Sequence, residues 1–393
     1  MHTGNGYWGF AMQPGARGAA RTCLAVGGAD ETPGAGEGMR PVSTTGMPPL
    51  RAGVRLVVGL GKTGESIVRH LAREKLPVAA TDSRREPPAA GLVAGVPHHF
   101  GRFESPLPCT ELAEAVVSPG VSPREPFLRE LQSRGVPVVS DIELFARAVT
   151  RPVVAITGTN GKSTVALLVT AMAKAAGLRV AAGGNLGTPA LDLLVTDAEL
   201  FVLELSSFQL ERTHRLEPQA AVVLNLSPDH LDWHESMEAY TASKARVYDY
   251  AVRAVTNRDD PLVRRMTAVR PEAVSFGLDA PSGEQYGLRE KEDGTWLCRG
   301  ETDLMVAREV PLAGRHNLAN VLAAWALGAA VGLDDAAMAR AVRGFEPLPH
   351  RLTPIVTRAG VRYLDDSKAT NVSAACAALG GLAAPSVVIA GGA

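Results

Sequence analysis

The stretch Val153-Val154-Ala155-Ile156-Thr157-Gly158-Thr159-Asn160-Gly161-Lys162-Ser163-Thr164 constrains the fold more than any other part of this sequence. Its apolar, mostly β-branched start reads as a buried strand, its glycines as a short turn, and the alanine-rich run over 165–176 as a helix. Such a turn aims several backbone N–H groups and a helix N-terminus at one point, which attracts phosphate. Lys162 adds a mobile positive charge for the outer phosphates, and the Ser163 hydroxyl is placed to ligate the accompanying Mg²⁺. The full phosphate-loop pattern has a glycine six residues before the lysine. That position is Ile156, so the match is to a shortened variant in which Gly158 supplies the flexibility. The bland alternative, an ordinary βα connection, is weighed against the motifs that follow.

A second glycine turn precedes it. Val54-Arg55-Leu56-Val57-Val58 runs into Gly59-Leu60-Gly61-Lys62-Thr63-Gly64, then a helix over 65–75 and a strand over 77–81 that ends at Asp82. This βαβ unit has the spacing of a dinucleotide site, with an acidic residue about 20 positions on. Taken alone it indicates an NAD-dependent dehydrogenase, yet the same glycines serve any diphosphate docked on a helix N-terminus. Further βα pieces follow: a strand over 114–117 running into Ser118-Pro119-Gly120, a helix over 125–134, a strand over 136–139 and a helix over 141–148.

Beyond the phosphate loop, a strand over 178–182 leads to Gly183-Gly184-Asn185-Leu186-Gly187-Thr188-Pro189, and a buried strand over 199–205 carries Glu204 near its end. A carboxylate at a strand end beside a phosphate loop is where Mg²⁺ is held, the alternative being a glutamate that caps the next helix. A strand over 220–224 delivers Asn225 and then Asp229-His230-Leu231-Asp232, where His230 reads equally as structural or as a ligand. The helix over 237–250 includes Lys244, by composition a surface lysine. Two turn-rich β pieces lie between 273 and 306, and Gly314-Arg315-His316-Asn317-Leu318-Ala319-Asn320 opens an apolar helix to Val331. A third unit starts near Phe345, with Pro349-His350-Arg351-Leu352, a strand over 361–364, Asp365-Asp366-Ser367-Lys368-Ala369-Thr370-Asn371, a helix, and a strand over 386–390.

A chain of 393 residues holds two or three domains. Its 40 basic and 41 acidic residues give no electrostatic case for nucleic acid or an anionic membrane as partner. Cys23, Cys109, Cys298 and Cys376 are scattered, which fits reduced thiols in a cytoplasmic protein rather than a disulfide framework or a zinc site. The N-terminus shows no apolar secretory segment, and the uncharged run over 374–393 is broken by Gly380, Gly381 and Pro385, so no membrane span is expected. Eleven glycines and five prolines among residues 1–50 suggest a disordered leader, or an over-extended start with Met47 as the first residue.

Taken jointly and in order, the motifs Gly158–Thr164, Glu204-Leu205-Ser206-Ser207-Phe208-Gln209-Leu210-Glu211, Asp229–Asp232, Gly314–Asn320 and Asp366–Asn371 resemble the Mur ligase family, and the glycine opening favours its D-glutamate-adding branch. The resemblance covers about residue 54 onward. It implies an α/β fold of three domains: a Rossmann-like UDP-binding domain over 51–149, a central ATP-binding domain with a parallel sheet over 150–344, and the start of a Rossmann-like C-terminal domain over 345–393, behind the leader over 1–50. It implies an ATP-driven ligation of D-glutamate to UDP-N-acetylmuramoyl-L-alanine through an acyl phosphate, by a cytoplasmic monomer of peptidoglycan precursor synthesis.

The implied roles fall as follows. Gly61, Thr63, Gly64, Asp82, Ser83, Arg84 and Ser118 hold the UDP end of the substrate, and Asn185 helps to position it. Gly158, Thr159, Asn160, Gly161, Lys162, Ser163 and Thr164 hold ATP. Ser163 takes one Mg²⁺, and Glu204 with His230 takes a second, served by Lys244 as a carbamate. Asn317 and Asn320 lie near the adenine, Asp366 on the ribose, and Arg351 and Lys368 near the phosphates. The family residues that hold D-glutamate lie mostly beyond Ala393, so the 393-residue chain is expected to bind nucleotide and UDP-substrate but to ligate poorly or not at all. The competing readings are a sister ligase such as a folylpolyglutamate synthase, a non-catalytic nucleotide binder, and the dehydrogenase.

Overall fold

The computed structural model describes residues 52–380, 382 and 385–391. The expected leader, Met47 and Cys23 lie outside them. Over the described residues the chain is an α/β protein with three sheets.

The first sheet is built from β1 (Val54–Val58), β2 (Val78–Asp82), β3 (His98–Phe100), β4 (Leu112–Val117) and β5 (Val138–Ser140), with α1 (Lys62–Arg73), α2 (Pro126–Ser133) and α3 (Asp141–Ala148) between and after them. All its pairings are parallel, in the order β3-β2-β1-β4-β5. β1 is central because its residues are buried on both faces, as an unbroken apolar run requires in a parallel sheet.

The second sheet contains β6 (Val153–Thr157), α4 (Lys162–Ala175), β7 (Val180–Gly184), α5 (Ala190–Leu193), β8 (Leu200–Glu204), α6 (Ser207–Glu211), β9 (Ala220–Val223), α7 (Leu231–His234), α8 (Met237–Ala245), β10 (Arg253–Asn257), α9 (Pro261–Met266), β11 (Val274–Phe276), β12 (Tyr286–Lys291), β13 (Gly294–Arg299) and β14 (Thr302–Val306), closed by α10 (Arg315–Ala330) and α11 (Asp335–Arg343). Its order is β14-β13-β12-β11-β10-β9-β6-β8-β7, parallel from β7 to β12 and antiparallel beyond. Alanines on α4 let it lie close against α10 and α11, and Trp325 of α10 is fully buried in that layer. Ile156 on β6 stands opposite Glu204 on β8, which places the carboxylate at the same end of the sheet as the phosphate loop. One buried cluster runs from Val57 and Phe145 to Phe201 and Tyr240, with Phe145 meeting Phe201 edge to face at 5.5 Å, so the two sheets share a core.

The last pieces are a hairpin, β15 (Thr353–Arg358) and β16 (Val361–Asp365), and the helix α12 (Val372–Gly380). Three expectations need correction. The region 273–306 holds four strands, not two pieces. The helix expected over 237–250 ends at Ala245 and tightens into a 3₁₀ turn. Residues 386–390 form no strand; Val387 and Ile389 are almost wholly exposed, and a short β-branched run needs a neighbouring strand to satisfy its backbone. β15 was not anticipated, because the hairpin turns at Ala359-Gly360, with Ala359 at φ 49°, where asparagine or glycine is the usual signal. No helix among the described residues is long and apolar enough to cross a membrane.

Candidate active site

The phosphate loop leaves the central strand β6. Gly158 (φ +149°) and Gly161 (φ +83°) take backbone angles that suit glycine, and a Cβ on Gly158 would lie 3.0 Å from that of Leu224. Asn225 holds the loop from the next strand: its Oδ1 accepts from the Asn160 N–H at 2.8 Å and its Nδ2 donates to the Asn160 carbonyl at 3.1 Å. Lys162, the first residue of α4, folds its ammonium back onto the carbonyls of Gly158 (3.0 Å) and Thr159 (2.8 Å). Ser163 donates to Glu204 Oε2 at 2.7 Å, and Asn185 donates to Glu204 Oε1 at 2.6 Å. Glu204 is 3% exposed, so Ser163, Asn185 and Glu204 form one polar cluster at the mouth of the loop.

Lys244 is not a surface lysine. It is 2% exposed, donates to the Gly158 carbonyl at 2.9 Å and to Thr157 Oγ1 at 3.3 Å, and lies over the Tyr240 ring at 4.8 Å. Two ammonium groups therefore share one carbonyl. Burial first, and then the neighbouring Lys162, push the Lys244 ammonium well below its ordinary pKa; burial also lowers that of Lys162.

Beside the loop, a cavity of about 310 Å³ has Phe276 and Leu278 as apolar walls, with Asn257, Asn317, Arg351 and Asp366 among its polar lining. Asn317 and Asn320 are tied together at 3.0 Å, and the Asn320 amide oxygen packs where a Cβ on Gly161 would stand. A cavity with apolar walls and amides among its lining suits a nucleoside base. Lys368 is exposed; its backbone N–H donates to the His350 carbonyl at 3.2 Å and its carbonyl accepts from the Thr370 N–H at 3.1 Å.

The first glycine turn is packed differently. A Cβ on Gly64 would meet the Gly59 carbonyl oxygen at 1.9 Å, so that glycine is fixed by close backbone approach. Asp82 accepts from the Leu60 N–H at 2.6 Å and from Arg84 Nε and Nη2 at 2.8 and 2.7 Å. Burial raises the Asp82 pKa, but these bonds outweigh it and leave the carboxyl below its usual range. Ser118 donates to the Gly59 carbonyl at 2.7 Å. Asp82 and Ser118 thus shape the turn from inside, whereas Gly61 has open space, Thr63 is half-buried and Ser83 is exposed.

Residues 54–140 match the N-terminal domain of MurD-like Mur ligases, and residues 156–328 match the Mur ligase middle domain. The chain is 48% identical over 351 residues to the UDP-N-acetylmuramoylalanine–D-glutamate ligase of Nitrosococcus oceani, covering 88% of this chain and 77% of that protein. It is 49% identical over 334 residues to the protein of that name from Pseudomonas aeruginosa, covering 84% and 74%. The chain belongs to the Mur ligase family. Two solved structures share its fold: a pseudomurein peptide ligase type C from Methanothermus fervidus (TM-score 0.53, 20% identity, 84% and 77% covered) and the UDP-N-acetylmuramate:L-alanyl-gamma-D-glutamyl-meso-diaminopimelate ligase from Neisseria meningitides (TM-score 0.52, 17% identity, 76% and 99% covered).

Within this Mur ligase architecture the structure gathers Lys162, Ser163, Asn185, Glu204 and Lys244 at the loop. It does not bring His230 to them by any direct bond: His230 caps α7 at φ 52°, its side chain is 50% exposed, and its ring rests on Phe208 at 5.0 Å. Among the described residues no three His, Cys, Asp or Glu side chains converge as a metal cage. The adjacent hard oxygens of Ser163 and Glu204 nevertheless fit Mg²⁺, which prefers a few protein oxygens completed by phosphate and water. Sequence reading missed Asn225 as the brace of the loop and Phe276 and Leu278 as pocket walls. A strand-end amide was a usable signal for the first, but nothing local distinguishes the other two.

Proposed function

We propose that the chain joins D-glutamate to UDP-N-acetylmuramoyl-L-alanine at the expense of ATP, as a cytoplasmic monomer. The observation that carries this reading is the cluster of Lys162, Ser163, Asn185 and Glu204 at the mouth of the loop, in a chain 46–49% identical to ligases of that name. A carboxylate is a poor electrophile, so it first takes the γ-phosphoryl group of ATP. The amine of D-glutamate then attacks the acyl phosphate, the new C–N bond replaces the C–O bond to phosphate, and the amine loses a proton. Positioning and charge neutralisation supply most of the acceleration.

In this reading Lys162 exchanges its two loop carbonyls for the β- and γ-phosphates. Ser163 would hold one Mg²⁺, and Glu204 with His230 a second, served by Lys244 as a carbamate; the ions would supply neutralisation of phosphate charge. The lowered basicity of Lys244 keeps part of it as free amine, the form that combines with CO₂ to give a carbamate and a proton; a cation beside Lys162 then becomes an anion. Asn185 helps to position the substrate and its carboxylate. The UDP end lies on the first glycine turn, over Gly61, Thr63 and Gly64, with Asp82, Ser83, Arg84 and Ser118 around it. Adenine lies in the Phe276 cavity by Asn317 and Asn320, Asp366 meets the ribose, and Arg351 and Lys368 approach the phosphates. The division at residues 51–149, 150–344 and 345–393 is part of the same proposal.

The test is phosphate release from ATP with UDP-N-acetylmuramoyl-L-alanine, measured on the product of the gene read to its stop codon and comparing D-glutamate with L-glutamate, L-lysine and diaminopimelate. Release that depends on D-glutamate is the expected result. Release with another amino acid moves the chain to a sister ligase, and nucleotide uptake without release under any condition leaves a nucleotide binder.

A further inference from the structure

One contact to the phosphate loop has no role in the mechanism above. Asn371 lies 211 residues from Asn160, yet the two amides exchange hydrogen bonds, Asn160 Nδ2 to Asn371 Oδ1 at 3.3 Å and Asn371 Nδ2 to Asn160 Oδ1 at 3.2 Å. The same Asn371 Nδ2 also donates to Asp229 Oδ2 at 3.2 Å, and its Oδ1 accepts from the Ala374 N–H at 2.8 Å, capping α12. Ser373, Ala374 and Ala377 of that helix, with Arg351 and Asp366, form the side of the nucleoside cavity that comes from the third unit. Asp229 in turn faces both Lys162 and Lys244 electrostatically.

We propose that Asn371 is a positioning residue that seats this third-unit wall on the phosphate loop by bonding Asn160 and Asp229 at once. The inference rests on the nucleotide reading of the cavity and deepens it. Asparagine suits the place because it offers two donors toward Asp229 and Asn160 while its oxygen caps the helix. Aspartate would cap as well, but it would set a second carboxylate against Asp229.

This asymmetry makes the test. The 393-residue chain is titrated with Mg²⁺ and AMP-PNP by calorimetry, and amide exchange is followed over residues 372–380 without nucleotide. If Asn371 positions the wall, N371D weakens AMP-PNP binding by about 10-fold, the loss of roughly one charge-assisted bond plus a like-charge contact. N371D is then worse than N371A, exchange in α12 quickens, and the double variant N371D/D229N, which restores a donor opposite an acceptor, recovers affinity to within about 3-fold. If Asn371 merely caps the helix, N371D binds and exchanges like the unsubstituted chain, and the inference is overturned. Failure of the unsubstituted chain to bind AMP-PNP is a different result: it removes the nucleotide reading itself and this inference with it.

Discussion

The two glycine turns of this chain begin alike and end differently. Each follows a central parallel strand, each puts a glycine at the helix N-cap and a lysine as the first helical residue (Gly61-Lys62 on α1, Gly161-Lys162 on α4), and each has a carboxylate at the end of a neighbouring strand, Asp82 on β2 and Glu204 on β8. In the first turn the carboxylate is bonded to a guanidinium and a backbone N–H, and the lysine reaches outward to the Gly187 carbonyl. In the second, Glu204 is bonded only to a hydroxyl and an amide, and Lys162 is curled over its own loop. The shared pattern therefore fixes the backbone, and the way each carboxylate is held differs: Asp82 is hydrogen-bonded directly to a guanidinium, which closes the first turn, whereas Glu204 faces Lys162 and Lys244 only through space, which fits the proposed phosphate and Mg²⁺ site.

The largest expected effects test the backbone half of that contrast. Gly64→Ala places a Cβ 1.9 Å from the Gly59 carbonyl oxygen, which only backbone movement can relieve, and should cost on the order of 3 kcal/mol or more, read as a fall in the denaturant midpoint. Gly61→Ala, three residues earlier with open space and φ −81°, should stay within about 0.5 kcal/mol of the unsubstituted chain. Equal costs at the two positions would break the picture of a turn closed by Gly59 and Gly64.

Next in size are the lysines. In the product of the gene read to its stop codon, Lys162→Ala should lower D-glutamate-dependent turnover by about 100-fold or more if, as proposed, its charge meets the transferring phosphoryl group. Lys62→Ala, which removes an exposed tie to a loop carbonyl, should change it by about 3-fold or less. A large effect at Lys62 would show that the first turn also carries working charge, and would make the two turns equivalent.

How far this contrast can be read from sequence follows from the range of the contacts. Lys162 and Ser163 are placed by their own turn, and Glu204 by the parallel register of adjacent strands, so a short segment identifies them. Lys244 reads as a surface residue because its helix is only weakly amphipathic, and its burial comes from Tyr240 and the loop carbonyl, which only the fold brings together. His230 fits a ligand motif, but the left-handed turn that orients it is invisible in composition. Asn371 is legible as part of a motif, yet its partners stand 142 and 211 residues away. The run over 386–390 shows the opposite error, since β-propensity without a neighbouring strand does not make one.

The smallest effect concerns Asp82, the carboxylate that closes the first turn. Its folded pKa lies below the unfolded value near 4, so the unfolded chain takes up the proton first as the solution is acidified. The stability it contributes is fully present above about pH 4 and is lost as pH falls through the folded pKa. Arg84 is half exposed, so solvent screening holds the pair to about 1 kcal/mol or less. Asp82→Asn should therefore destabilise the chain slightly at pH 7, and the gap between variant and unsubstituted chain should close as pH falls from about 4 through the folded pKa, followed by urea unfolding across that range. A gap that persists in acid would mean that the shape of Asp82, rather than its charge, closes the turn. The contrast with Glu204 would then rest on packing and not on which carboxylate is bonded directly to a cation.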